Sequence, residues 1–295
     1  MSQKFKSFCL LIGVGLLFTG CGGSSDAGTT MSQNSTIGVG YYIDSAVGGI
    51  NYVCGEQNGT TGIDGSFQFE KGKDCTFKIG EIVLRSISAK DLIDKGDIFE
   101  DNVSVAQMLQ TLDTDGNATN GIIITSDVID VIKSTGISLP TNESDVIALH
   151  EAVKNIPGYT GKAKSLQETQ SHLNETKAQR FKSMIAGKTL YSVSAEYGRK
   201  LGYFSKWVFN ADATSVHRFD NSDNSYSDAG SYQFSIEGPT IVFGYIIFAD
   251  RYMLREKTED YFITSFIRSG DIMMGDVRFY TDESKAKEFS QVYMQ

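Results

Sequence analysis

The chain has 295 residues, of which 27 are basic and 36 acidic, for a formal charge of −9. That acidity favours solubility and excludes the broad electrostatic contact with nucleic acid or anionic lipid that needs a basic surface. Charged residues make up 21% and there are only 3 prolines, a globular composition with length for two domains.

At the start, Lys4 and Lys6 precede an apolar run from Phe8 to Phe18, followed by Thr19-Gly20-Cys21-Gly22. A basic tip, a short apolar segment and small residues before a cut form the layout of a secretory signal. A membrane-spanning helix needs about 20 apolar residues; this run is shorter and ends in Gly-Cys-Gly-Gly-Ser-Ser. The string Leu17-Phe18-Thr19-Gly20-Cys21 resembles a bacterial lipoprotein signal. The resemblance implies that residues 1–20 are removed and that Cys21 is acylated and anchors the chain to a membrane. With Gly22 rather than Asp after the cysteine, it also implies outer-membrane sorting, on the periplasmic face or the cell surface. Residues 21–37, rich in Gly, Ser, Thr and Asn, read as the flexible tether.

Cys9 leaves with the signal and Cys21 takes the lipid, which leaves Cys54 and Cys75. An even pair in an exported chain is expected to form a disulfide. There are no further soft ligands to make a metal site of it, and the spacing is not Cys-x-x-Cys.

Residues 38–88 show a period of two. Ile50, Tyr52 and Cys54 share one phase, as do Phe67 with Phe69, and Cys75 with Phe77 and Ile79. Asn58-Gly59 and Asp64-Gly65 are hairpin signals. The string Thr60-Thr61-Gly62-Ile63-Asp64-Gly65-Ser66-Phe67-Gln68-Phe69 resembles prealbumin-like β-sandwich modules, which implies a spacer or binding platform.

Residues 89–186 change to helical spacing. Val105, Met108, Leu109 and Leu112 lie on one face. Ser126 and Ser144 can cap helices carrying Val128, Val131 and Ile132, and Val146, Leu149 and Val153. A longer helix over about 164–185 places Leu166, Leu173, Phe181 and Ile185 inward.

Between the first two helices lies Asp113-Thr114-Asp115-Gly116-Asn117-Ala118-Thr119-Asn120-Gly121. Oxygen ligands at alternate positions make Asp113, Asp115, Asn117 and Thr119 candidate calcium ligands. Ala118 and Ile124 occupy the slots where an EF-hand has its Gly and its bidentate Glu, so the competing reading is an Asx-rich turn. The block from Leu112 to Ile122 resembles one in bacterial surface lipoproteins to which no activity is attached.

Residues 187–295 return to a period of two. Trp207 and Phe209, and Tyr232, Phe234 and Ile236, each share a phase. Residues 282–289 read as a short terminal helix. The order Trp207 to Thr214, a Gly-containing hairpin, a Tyr/Phe/Ile strand and then Arg278-Phe279-Tyr280 resembles the lipocalin-like domains of bacterial lipoproteins. An antiparallel meander that curls or closes is the expectation. Trp207, Phe209, Tyr232 and Phe234 either line a pocket for an apolar ligand or fill the core.

Six Asn-x-Ser/Thr sites occur, and Asn58, Asn102 and Asn117 carry an acid two residues earlier, Glu56, Glu100 and Asp115. Such acidic sites resemble the acceptors of certain bacterial N-glycosylation systems. His150, His172 and His217 have no ligand spacing, and no nucleophile elbow, P-loop or dinucleotide fingerprint is present.

The expectation is therefore a mainly β chain. A β-sandwich-like module (38–88) leads through a helical segment (89–186) to a lipocalin-like meander or barrel (187–295). Its expected function is non-catalytic: a membrane-anchored binding or adhesion module for a protein or carbohydrate. The alternative is a carrier of a small hydrophobic molecule in the last domain. No cofactor other than calcium is expected.

Overall fold

The computed structural model describes residues 36–195, 202–222, 225–244 and 249–293. The chain is mainly β. Strands β1 (Ile37–Ile43), β2 (Val47–Gly48), β3 (Asn51–Cys54), β4 (Gln57–Thr60), β5 (Ser66–Glu70), β6 (Cys75–Ile79), β7 (Ile82–Ile87), β8 (Asp97–Phe99) and β9 (Ile122–Ile123) make up the N-terminal part. They form a three-stranded sheet ordered β5-β1-β8, a four-stranded sheet ordered β4-β3-β6-β7, and the small pair β2-β9.

The period-two residues are the buried ones. Phe67, Phe69, Cys75, Phe77 and Ile79 are at most 2% exposed. Phe77 packs edge-on against Tyr42 and Phe67, at 4.8 Å in both cases, so the two sheets share one aromatic core. Gly40 makes that packing possible, because a Cβ there would lie 2.5 Å from the Phe67 ring. Cys54 and Cys75 are directly opposite on β3 and β6 and are bonded to each other. The hairpin between β3 and β4 turns at Gly55-Glu56, with Gly55 at φ +67°, and not at Asn58-Gly59, which lies inside β4. The Asp64-Gly65 turn forms where its residues predict it, with Gly65 at φ +79°.

Helices α1 (Val103–Leu112), α2 (Ser126–Thr135) and α3 (Glu143–Val153) close this core with Met108, Leu109, Val128, Ile132 and Leu149. The caps sit one or two residues earlier than the serines predict. Thr125 is the N-cap residue of α2, without a side-chain bond, and Asn142 caps α3 through Asp145 N. Helix α4 (Leu166–Ile185) starts with a capping box between Ser165 and Glu168. Leu166 is 54% exposed and not inward; Leu173, Phe181 and Ile185 are buried.

Strands β10 (Thr189–Ala195), β11 (Gly202–Phe209), β12 (Ser215–Ser222), β13 (Ser225–Gln233), β14 (Ser235–Glu237), β15 (Thr240–Gly244), β16 (Ala249–Lys257), β17 (Tyr261–Arg268) and β18 (Ile272–Tyr280) form one nine-stranded antiparallel sheet. Its order is β13-β12-β11-β10-β18-β17-β16-β15-β14. The chain runs from β10 out to one edge and restarts at the other. Only Phe234 separates β13 from β14. One residue spans about 3.5 Å, and strands lie about 4.8 Å apart. A flat nine-stranded sheet would hold its edges about 38 Å apart, roughly five times the two-step reach from Gln233 to Ser235. The sheet therefore curls into a half-barrel whose edges meet at Phe234.

Helix α4 caps one end of the curled sheet, with Phe181 edge-on to Phe262 at 5.7 Å. Helix α5 (Glu283–Tyr293) covers the outer face of β10, β11 and β18 through Ala286. Among the described residues, no helix is long and apolar enough to cross a membrane.

Candidate functional site

A cleft of about 410 Å³ lies between β7, the segment 89–101, α4 and β16. Period-two alternation places Ile87 and Leu254 on its walls, with Leu92, Ile93 and Ile98 from the connecting segment. Five cations also line it: Arg85, Lys90, Lys177, Arg255 and Lys257.

Three of these are engaged. Arg85 donates to Phe99 O at 2.7 Å and to Asp101 Oδ1 at 2.9 Å. Arg255 lies 3.5 Å from Asp276, and Lys257 lies 3.7 Å from Asp97. Lys90 and Lys177 have no ion pair or hydrogen bond among the described residues. Burial, and secondarily the nearby Lys257, hold Lys188 below the ordinary lysine range. Four acids, Asp91, Asp97, Asp101 and Glu256, share the lining, so the five cations leave a net of one positive charge beside the apolar walls.

Asp97 fixes the cleft's geometry. Its side chain is wholly buried and accepts from Arg180 Nε and Nη2, both at 2.7 Å. This joins β8 to α4 beneath the cleft floor. Neither residue stands out in the sequence; they are 83 positions apart, with no local pattern linking them.

Cys21 lies outside the described residues. The calcium candidates form a turn that closes on itself. Asp115 accepts from Asn117 N at 2.8 Å and Asn120 Nδ2 at 2.9 Å, and Asn117 Oδ1 accepts from Thr119 Oγ1 at 2.7 Å. Asp113 Oδ1 accepts from Ile123 N at 3.0 Å, while its buried Oδ2 has no partner among the described residues. Lys164 already places an ammonium 3.0 Å from Gly116 O. Among the described residues, no three His, Cys, Asp or Glu side chains converge as a metal site. These four side chains do not fit a cation cage as they are arranged.

Trp207, Phe209 and Phe234 are 5%, 3% and 8% exposed and pack on one another and on Phe243. Tyr232 is half-buried beside them. At this level the half-barrel is filled by rings.

The three histidines stand apart from the cleft lining. His172 Nε2 is 2.8 Å from Asp44 O and 3.4 Å from Ser45 Oγ. The nitrogen facing the serine thus donates to a carbonyl and has no lone pair free to accept a proton. Burial holds this imidazole below its ordinary pKa. His217 bonds Ser231 through Nδ1 at 2.7 Å and Asp228 through Nε2 at 2.9 Å. That row stands on an exposed strand face with Asp228 65% exposed, where nothing excludes water. His150 meets Tyr159 at 3.4 Å.

Of the acidic glycosylation sites, Asn58 and Glu56 are both exposed on the β3–β4 hairpin. Asn102 caps α1, and its acid, Glu100, is buried against the Tyr42 hydroxyl.

The chain matches no protein-family model, no curated protein and no solved structure.

Proposed function

We propose that this chain is a non-catalytic, lipid-anchored binding protein of the outer membrane that holds an anionic ligand with an apolar body in the cleft between β7, α4 and β16. The observation that carries the reading is the pairing of two lysines without an ion pair or hydrogen bond among the described residues, Lys90 and Lys177, with the apolar walls of Leu92, Ile93, Ile98 and Leu254. Such a lining is built for a ligand with one charged end and one greasy end.

The Lys4 to Cys21 string supports the anchor, and the Gly/Ser-rich tether would lift the folded part from the bilayer. The N-terminal sheets fit the role of a sandwich-like platform, and the half-barrel that of a lipocalin-like partner domain. The aromatic filling of that half-barrel favours the cleft over its interior as the place for an apolar ligand. Neither His172 nor His217 offers a relay inside a cleft, which favours binding over catalysis. Calcium has no part in this reading.

Two experiments test it. Cys21→Ser should move the protein from the membrane to the soluble fraction; retention on the membrane would refute the anchor. 8-Anilinonaphthalene-1-sulfonate, an aromatic anion, should bind saturably to the wild type. Its affinity should fall by about tenfold or more in Lys90→Glu/Lys177→Glu, as expected when favourable charges become repulsive. Unchanged binding in that variant would refute the cleft.

A further inference from the structure

The inner face of the half-barrel changes character along its axis. On β10 the inward positions run Leu190, Ser192, Ser194. On β11 they run Phe209, Trp207, Ser205, and on β12 Val216, Arg218, Asp220. On β16 they run Leu254, Tyr252, Asp250, and on β17 Phe262, Thr264, Phe266, Arg268. The strands are antiparallel, and the pairs Ser192↔Ser205, Ser205↔Asp220 and Asp250↔Arg268 place the polar residues at the same end. That end is opposite the one that Phe181 of α4 closes. Polar side chains on the inward phase of five strands are costly in a filled core and ordinary at the mouth of a barrel that takes a ligand. A cavity of about 170 Å³ opens there, floored by Trp207, Tyr252 and Phe266.

The groups around it are held in place. The Arg218 guanidinium lies over the Trp207 ring at 5.4 Å and donates through Nε to Asp220 at 2.7 Å. Arg268 repeats the device, over Phe266 at 5.4 Å and through Nε to Asp250 at 3.2 Å. Each arginine is therefore fixed by a ring and a carboxylate, with its terminal nitrogens unengaged among the described residues. The Ser194 hydroxyl and Asp250 Oδ2 are likewise unengaged. Asp276, the other acid in the wall, faces Arg255 at 3.5 Å and Ser265 at 3.2 Å.

We infer that this mouth binds one neutral sugar residue. Arg218 with Asp220 and Arg268 with Asp250 balance in charge, which disfavours a net ion of either sign. Fixed donors stand beside fixed acceptors, the pattern that hydroxyl groups match because each both donates and accepts. The floor adds apolar contact for the C–H groups of a pyranose around the guanidinium-covered faces of Trp207 and Phe266, and the cavity of about 170 Å³ admits one ring and not a chain. This site is separate from the cleft of Lys90 and Lys177 and does not depend on it.

Trp207 is the only tryptophan of the chain and lies in the cavity floor, so its emission reports occupancy of this site alone. The full-length chain is titrated with glucose, galactose, mannose and N-acetylglucosamine, and with galacturonate as the charged control. At least one neutral sugar should change Trp207 emission saturably in the millimolar range. Asp250→Asn and Arg268→Lys should each weaken that sugar by about tenfold, the loss of one charge-assisted hydrogen bond. Lys90→Glu/Lys177→Glu should leave it unchanged. Arg268→Lys keeps the charge and serves if Asp250→Asn does not fold. The inference fails if none of the four sugars gives a saturable change, if only galacturonate does, or if binding survives both variants undiminished.

Discussion

Asp97 and Arg180 form a two-pronged ion pair, with Nε and Nη2 of the arginine each 2.7 Å from a carboxylate oxygen. The carboxylate is wholly buried, and Lys257 of β16 adds a second cation at 3.7 Å. One side chain thus ties the parallel strand β8, the bridging helix α4 and the half-barrel together. Breaking a buried pair from one side costs more than the pair contributes, because a charge is left without a partner. Arg180 is 38% exposed, so the charge that Asp97→Ala leaves behind is partly solvated, and the expected loss of unfolding free energy in urea is about 1.5–3 kcal/mol, that of hydrogen bonds to charged groups. Arg180→Lys keeps the charge but loses the planar fork, and should cost less. A loss below about 1 kcal/mol for Asp97→Ala, the range of surface pairs, would show that the pair is not structural.

The Cys54–Cys75 bond joins directly opposed, fully buried residues of β3 and β6, separated by 21 positions. Its stabilisation comes mainly from restricting the unfolded chain, at about 3 kcal/mol for a loop of this size. Cys54→Ser/Cys75→Ser is expected to lower the unfolding free energy by that amount and the urea midpoint with it, and a reductant should do the same to the wild type only. Identical midpoints with and without reductant would contradict the bond.

Gly40 is a packing requirement and not a flexible joint. A methyl group there would meet the Phe67 ring at 2.5 Å, and the same holds for Gly38 against Phe69 at 2.4 Å. Both rings are buried, so Gly40→Ala should cost about 1–3 kcal/mol by overpacking. Gly40→Ala/Phe67→Leu should recover part of the loss, because the shorter side chain makes room. No recovery in thermal melts would mean that the methyl group strains the backbone instead.

Much of the architecture was legible because each face of a strand or helix writes its own period. Phe67, Phe69, Cys75, Phe77 and Ile79 fall on the buried phase, and Cys54 and Cys75, both on that phase, form the disulfide expected of the pair. Turn chemistry was less reliable: Asn58-Gly59 matches a hairpin motif, yet the chain turns at Gly55-Glu56, where the register of Cys54 against Gln57 requires it. Leu166 reads as an inward helical position but occupies the first turn of α4, beyond the reach of the core. The cleft could not be read at all, since Lys90, Lys177 and Lys257 converge only through tertiary packing. The polar mouth of the half-barrel was the missed signal. Ser192, Ser205, Arg218 and Asp250 break the apolar phase of their own strands, and a phase-by-phase reading of residues 187–295 would expose them.

Asp113 gives the chain an unusual pH response. It is buried, chiefly desolvated, and sits beside Asp115, which together push its carboxyl up to about 6. In the unfolded chain it titrates near 4. Between those values the native state binds more protons than the unfolded state, so this group's contribution to stability falls as pH rises from about 4 to 6 and is flat above. Asp44 and Glu100, also raised by burial, act in the same direction. The difference between wild type and Asp113→Asn isolates the first of the three. Asparagine mimics the protonated form and can still accept from Ile123 N. The variant should match the wild type near pH 4 and exceed it by about 1–3 kcal/mol at pH 7.5. Urea melts at the two pH values check this. Added calcium should leave the wild-type midpoint unchanged at pH 7.5, because Asp115 and Asn117 are engaged within the turn. A variant less stable than the wild type at pH 7.5, together with a calcium-dependent rise in the wild type alone, would overturn both expectations and assign the buried oxygen of Asp113 to a cation.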